Sequence, residues 1–287
     1  MNILTFDIED WFLSKDSGKI PIQDWAGITS RVEHNTDVIL DLLASHQVTA
    51  TFFILGWVAR EHPELVKRIS AAGHDIGYHS FAHQRIKELS HGQFEVDLVK
   101  GLDIIETLLG EKVRYYRAPY FSLDKETPWT VEALIRHGIE VSSSTKSFST
   151  FLNYKIQASP FVINHGNRQL IEFPLTRLDV PILKLVVTGS GYFRALPLPL
   201  ILRYLRAHHY NMFYFHPRDF DIDTPYSSRL SLGRNLLNHV GVQHVLRKFD
   251  RMLSQVSFIS IGEAAAYVQK HKEEFQAIDF QNDEGTN

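Results

Sequence analysis

Short apolar runs alternate with longer amphipathic stretches along most of this chain, and that alternation restricts the fold more than any other feature of the sequence. The runs NILTF (2–6), ATFFIL (50–55), DIGYH (75–79), VRYYRA (113–118), IEVSSS (139–144), LIEFPL (170–175), MFYFH (212–216) and VSFIS (256–260) have the length and composition of strands. Helix signals lie between many of them. Ser30 and Glu33 stand at capping-box spacing and predict a helix to about His46. Pro63 opens a second helix that Gly73 closes, and Ser90 with Gln93 opens a third that Gly110 ends. Thr127-Pro128 opens a fourth, stopped by Gly138. Strands separated by helices run parallel through right-handed crossovers. Eight of them predict an α/β fold of the (β/α) barrel type, incomplete or distorted. An open doubly wound sheet is the alternative, in a form without a nucleotide site, because no glycine-rich loop follows the first strand. The alternation weakens from 146 to 196, where KSFSTFLNYK and INHGNRQ read as loops around a hairpin. One domain over 1–271 is expected, followed by a polar tail, 272–287, that frays.

With 44% hydrophobic and 22% charged residues, the 287-residue chain has the makings of an ordinary globular core. Its net charge of −3 argues against a nucleic-acid partner or an anionic membrane surface. The absence of cysteine excludes disulfides, thiolate metal sites and a cysteine nucleophile. No stretch approaches 18 apolar residues, so no membrane-spanning helix is expected. MNILTFDIEDWF has no basic segment leading into a long apolar run, and a cytoplasmic location is the expectation.

In a parallel β/α architecture, functional groups gather at the carboxyl ends of the strands. Asp7, Glu9 and Asp10 end the first strand, His79 the third, Arg117 the fourth and His216 the seventh, so residues far apart in sequence converge on one rim. Three carboxylates this close repel one another unless a cation compensates them. HSFAH places His79 and His83 four apart, and a helix capped by Ser80 would aim both at one point. Two imidazoles and a carboxylate make a three-ligand site for Zn²⁺ or another divalent first-row ion. A second carboxylate then stays free as a base, and Arg117 offsets the remaining charge. The N–H of Tyr120 could face a developing oxyanion, and Pro217 holds His216 extended.

TFDIED, HSFAH, RAPY and YFHP resemble, in order and spacing, the polysaccharide deacetylases of carbohydrate esterase family 4, the NodB-homology group, over roughly residues 1–265. FDIEDWF, GSGYFR and YFHPRDFD are similar to the exopolysaccharide-locus deacetylases within that group. The resemblance implies a distorted (β/α)7 barrel and metal-assisted hydrolysis of N- or O-acetyl groups on sugars. Carried over residue by residue, it makes Asp7 the base, Arg117 the group that tunes it and His216 the general acid. Glu9, His79 and His83 become the ligands of one divalent metal, zinc first and Co, Ni, Mn or Fe as alternatives. The family's common form has two adjacent aspartates, and this chain has Asp7-Ile8-Glu9-Asp10 instead, which leaves Asp10 as the fallback ligand. Tyr120 would supply the oxyanion donor, and Trp11, Tyr192 and Arg194 would line the substrate cleft. The implied partner is an acetylated sugar, free or linked to a lipid or nucleotide, in surface polysaccharide or lipopolysaccharide assembly. Three alternatives stay open: hydrolysis of a cyclic ureide or imide, an iron-dependent oxygenase, and a non-catalytic carbohydrate-binding relative.

Overall fold

The computed structural model describes residues 1–13, 20–177, 186–226 and 232–280. The strands are β1 (Asn2–Ile8), β2 (Thr51–Ile54), β3 (Asp75–Tyr78), β4 (Tyr115–Tyr116), β5 (Val141–Ser142), β6 (Thr150–Phe151), β7 (Tyr154–Lys155), β8 (Phe161–His165), β9 (Arg168–Glu172), β10 (Asn211–Phe215) and β11 (Gln276–Asp279). The helices are α1 (Val32–Ser45), α2 (Gly56–Glu61), α3 (Pro63–Ala71), α4 (His91–Leu109), α5 (Thr130–Arg136), α6 (Ser190–Ala195), α7 (Leu198–Ala207), α8 (Leu232–His239), α9 (Val242–Leu253) and α10 (Ile261–Lys270). One nine-stranded sheet has the order β10-β1-β2-β3-β4-β5-β9-β8-β11. From β10 to β9 every neighbouring pair is parallel, which gives the seven-strand parallel core expected of this architecture. No ladder joins β9 to β10 among the described residues, so the sheet is not closed by backbone pairing. Side chains span that seam instead: Tyr210 Oη donates to the Pro174 carbonyl at 2.7 Å, and the Met212 N–H donates to Thr176 Oγ1 at 3.0 Å.

Alternation along β1 sorts the two faces. Leu4, Phe6 and Ile8 belong to the large core packed under the helices, whereas Ile3 joins a smaller cluster with Phe53, Val141, Ile171, Met212 and residues of α10. Asp7 shares the parity of Ile3, so its carboxylate faces inward. α10 covers the opposite end of the strands. Its Ile261 N–H donates to Thr51 Oγ1 and its Gly262 N–H to Asp75 Oδ2, both at 2.8 Å.

Several local expectations are corrected. The Ser30–Glu33 capping box does not form: α1 begins at Val32 after Arg31, and the Ser30 hydroxyl donates to Asp10. HSFAH is a loop rather than a helix start, because Ser80 and His83 adopt φ of 62° and 55°. VSFIS contributes a single bridge, Ile3 to Ile259, because Ser260 is already the cap of α10. The region from 146 holds two hairpins, β6–β7 and β8–β9, the second turning at Gly166 with φ 59°. The tail expected to fray supplies β11, which pairs in parallel with β8; residues 281–287 lie outside the described residues. The Ser90–Gln93 capping box and the left-handed Gly110 cap of α4 form as read.

Candidate active site

At the carboxyl end of β1, Asp7 is 3% exposed and its Oδ1 accepts from Arg117 Nη1 at 2.7 Å. Arg117 is wholly buried, and the same Nη1 donates to Thr5 Oγ1 at 2.7 Å while Nη2 reaches Ser143 Oγ at 2.9 Å. Its guanidinium lies 4.2 Å from the Phe53 ring centre and 4.9 Å from that of Phe121. Burial alone would raise the Asp7 pKa, but the charges of Arg117, His79 and His216 outweigh it and hold the carboxyl below its usual value. Asp7 is therefore ionised, fixed by Arg117 on one oxygen, with the other 3.9 Å from His79 Nε2 and 4.0 Å from His216 Nε2.

Glu9 is buried beside it. Oε1 meets Arg218 Nη1 at 2.5 Å and His216 Nε2 at 3.3 Å. Oε2 lies 2.8 Å from His83 Nε2, yet it is a buried oxygen with no hydrogen bond. His79 Nδ1 stands 2.8 Å from the Arg117 carbonyl, which can only accept. Nδ1 therefore carries the proton and Nε2 offers a lone pair to the same point. Burial, the largest influence on His79, lowers its pKa to about 4 and keeps the ring neutral. Glu9, His79 and His83 each present one donor atom within 4.8 Å of the others. An orphaned carboxylate oxygen and a neutral imidazole facing a common point fit a divalent metal. The Glu9 pKa lies well below its usual value, because His83, Arg218 and His216 together overcome the effect of burial.

Asp10 turns away from this cluster. Its carboxylate accepts from the Trp11 and Arg31 amides at 2.9 and 3.2 Å and from the Ser30 hydroxyl, so it fastens the start of the chain to the entrance of α1. Strain concentrates here as well. Ser80, His83, Tyr120 and Phe121 are four of the eight non-glycine residues with positive φ among the described residues. Asp97 of α4 fixes the His79–His83 loop by accepting from the Phe81 N–H at 2.9 and 3.1 Å and from Tyr78 Oη at 2.7 Å.

His216 directly follows β10 with φ −127° and ψ 155°, the extended geometry that Pro217 enforces. Its Nδ1 stands 2.8 Å from Ser190 Oγ and 3.1 Å from Asp219 Oδ2, and Ser190 Oγ donates to that same carboxylate at 2.6 Å. Although burial opposes it, the hydrogen bond and charge of His216, with Arg194 and Arg218, hold Asp219 well below the usual carboxylate range. A proton on Nδ1 is thus anchored, and Nε2 points at Asp7 and Glu9. Sequence reading missed Ser190, Asp219 and Arg218. HPRDF carried a signal for the second, since Asp219 stands three positions after His216, as in a capping box.

A cleft of about 430 Å³ opens over these groups, lined in part by Asp7, Glu9, His79, His83, Tyr120 and His216. Trp11, Tyr192 and Arg194, expected to line it, do not. The Trp11 indole N–H donates to the Thr29 carbonyl at 3.1 Å and the ring packs on Phe12. Tyr192 stands 41% exposed on α6, and Arg194 bears on Asp219 instead.

Residues 3–142 match the model of the polysaccharide deacetylase family, and residues 142–266 match a domain of unknown function, DUF3473. A peptidoglycan-N-acetylglucosamine deacetylase of Bacillus cereus is 36% identical over 98 residues, which span 34% of this chain and 36% of that protein. The chain thus aligns with about a third of that curated relative. A protein of Mycobacterium smegmatis, solved as a candidate polysaccharide deacetylase, has a TM-score of 0.65 at 18% identity, covering 99% of this chain and 94% of its own. An allantoinase structure has a TM-score of 0.58 at 14% identity, covering 94% and 90%. At these identities the two structures establish a shared fold, and the site must supply the chemistry.

Proposed function

We propose that this chain, whose residues 3–142 match the polysaccharide deacetylase family, hydrolyses an acetyl group from an amino sugar. One observation carries the reading: the Glu9, His79 and His83 donor atoms converge between an Arg117-bound Asp7 and an Asp219-bound His216. Glu9 Oε2 and an imidazole nitrogen each of His79 and His83 would hold the metal, zinc by the chemistry of that donor set. Bound there, it would lower the pKa of a water and polarise the acetyl carbonyl.

Asp7, kept ionised by Arg117, accepts the proton of the attacking water. The Tyr120 N–H would donate to the oxygen that becomes negative as the carbonyl carbon turns tetrahedral. His216, its Nδ1 proton held by Ser190 and Asp219, gives the Nε2 proton to the departing amine. Arg218 occupies Glu9 Oε1 and leaves Oε2 for the ion. The similarity of FDIEDWF and GSGYFR to exopolysaccharide-locus deacetylases supports a substrate in surface polysaccharide assembly.

Zinc titration of metal-stripped protein, with acetate release from N-acetylated chito-oligosaccharides, tests this. The wild type is expected to bind one zinc and release acetate. Glu9→Gln and His79→Ala should lose both properties, and Asp10→Asn should keep the zinc. Loss of zinc in Asp10→Asn but not in Glu9→Gln would reverse the carboxylate assignment, and a zinc-loaded wild type that releases no acetate would overturn the function.

A further inference from the structure

Among the described residues, the cleft holds more positive charge than the reaction uses. Its carboxylates, Asp7 and Glu9, are already met by Arg117 and by Arg218 with the histidines. Three further cations line it: Arg85 from the loop after β3, Lys146 from the loop after β5, and Arg177 from the segment after β9. They are positioned rather than loose. Lys146 Nζ donates to the Phe121 carbonyl at 2.7 Å, and Arg177 Nε donates to the Ser147 carbonyl at 2.9 Å. The Arg85 guanidinium lies 4.2 Å from the centre of the Tyr120 ring. Neither Arg85 nor Arg177 has a carboxylate within 4 Å among the described residues. Burial lowers the Arg177 pKa.

A neutral sugar entering this cleft would displace water from Arg85 and Arg177 and give no charge in return, a costly exchange. The two aromatic rings beside them are also engaged, Tyr120 by Arg85 and His83, and Phe121 by Arg117 and Tyr214. Stacking is thus a weak basis for holding a neutral ring here. We propose that the cleft selects an anionic saccharide, in which a phosphate or carboxylate on or next to the acetylated sugar is received by Arg177, Lys146 and Arg85. Guanidinium pairs suit both oxyanions, because each can accept two parallel hydrogen bonds. This rests on the deacetylase reading for the acetylated sugar, but the charge selection is measurable without turnover.

The test is calorimetric binding to the full chain as purified, with three probes: chitotriose (neutral), a hyaluronan tetrasaccharide (carboxylate) and UDP-N-acetylglucosamine (phosphate). At least one anionic probe is expected to bind about tenfold or more tightly than chitotriose at low salt. The gap should close in about 1 M salt, where screening acts beyond roughly 3 Å. It should close in Arg177→Gln and survive in Arg177→Lys, with Arg85→Gln as the second variant should the first not fold. The tighter anionic probe identifies the oxyanion. Equal binding of all three probes, or a gap that persists in both glutamine variants, would overturn the proposal. Acetate release is read separately after zinc addition: charge-dependent binding with no acetate from any probe overturns the deacetylase reading and leaves this one standing.

Discussion

At the scale of single residues, the site divides its work between the two oxygens of each carboxylate. Asp7 gives Oδ1 to Arg117, and Glu9 gives Oε1 to Arg218, so in both cases an arginine fixes the plane of the group and the second oxygen faces the cleft. The same economy holds at His216, where Asp219 Oδ2 takes the His216 amide at 2.8 Å together with the Ser190 hydroxyl. Asp219→Asn keeps the shape of the group and removes its charge. The expected outcome is a kcat about 10- to 100-fold lower with KM nearly unchanged, and a smaller loss in Ser190→Ala. Steady-state kinetics on an N-acetylated oligosaccharide checks this; a rise in KM at constant kcat would place Asp219 in substrate binding instead.

At the scale of elements, loops carry the metal-ligand candidates and helices hold those loops still. The Gly56 and Trp57 amides at the start of α2 donate to the Ser80 and Phe81 carbonyls at 2.8 and 3.1 Å, and Asp97 of α4 grips the same loop from the other side. α4 can lie that close to β3 because Gly101 has no side chain. A Cβ there would fall 2.0 Å from the Tyr78 ring, whose hydroxyl is committed to Asp97. Gly101→Ala is thus expected to destabilise the fold by about 1–3 kcal/mol or more, since the ring cannot swing away without losing that bond. Urea denaturation reads it out, and an unchanged midpoint would mean that the helix shifts at little cost.

At the scale of the molecule, the sheet has no ladder between β9 and β10 among the described residues, and ties beside the neighbouring β10–β1 pair bear on its stability. Arg31, before α1, reaches Asp221, after β10, through two short contacts of 2.5 and 2.6 Å across 190 residues of sequence. Burial would raise the Asp221 pKa, but hydrogen bonds from Arg31 and Asn35 and the Arg31 charge hold it below 3.8. A carboxyl whose folded pKa is lowered stabilises the fold above its unfolded value, and that contribution is lost as pH falls through the folded value. Asp221→Asn should therefore be less stable than wild type at pH 7, by about 2 kcal/mol. The difference should shrink as pH drops below about 3.8. Thermal unfolding of both proteins from pH 7 to pH 2 measures this, and a difference constant with pH would show that the Asp221 charge is not what matters.

The sequence by itself determined the parallel core and the rim. Apolar runs spaced by capped helices leave few other topologies, and strand parity then fixes which side chains point inward. Asp7, Glu9, His79, Arg117 and His216 were legible for that reason, since each ends a strand or directly follows one, and His83 was legible from its spacing to His79. Tertiary structure alone decided the rest. Asp10 differs from Glu9 by one position, and the Ser30 hydroxyl and the Arg31 amide, with the amide of Trp11, hold it outward. Trp11 looked available to a sugar until its indole found the Thr29 carbonyl. Ser190 and Arg218 became part of the site because α6 and the turn after β10 bring them to His216 and Glu9, contacts that no local pattern encodes. β11 was unreadable in a polar tail because its place is set by the open edge of β8 and not by its own composition. Local propensity and periodicity act within a few residues, whereas these choices were made by groups about 20 to 200 positions apart that meet only in the folded chain.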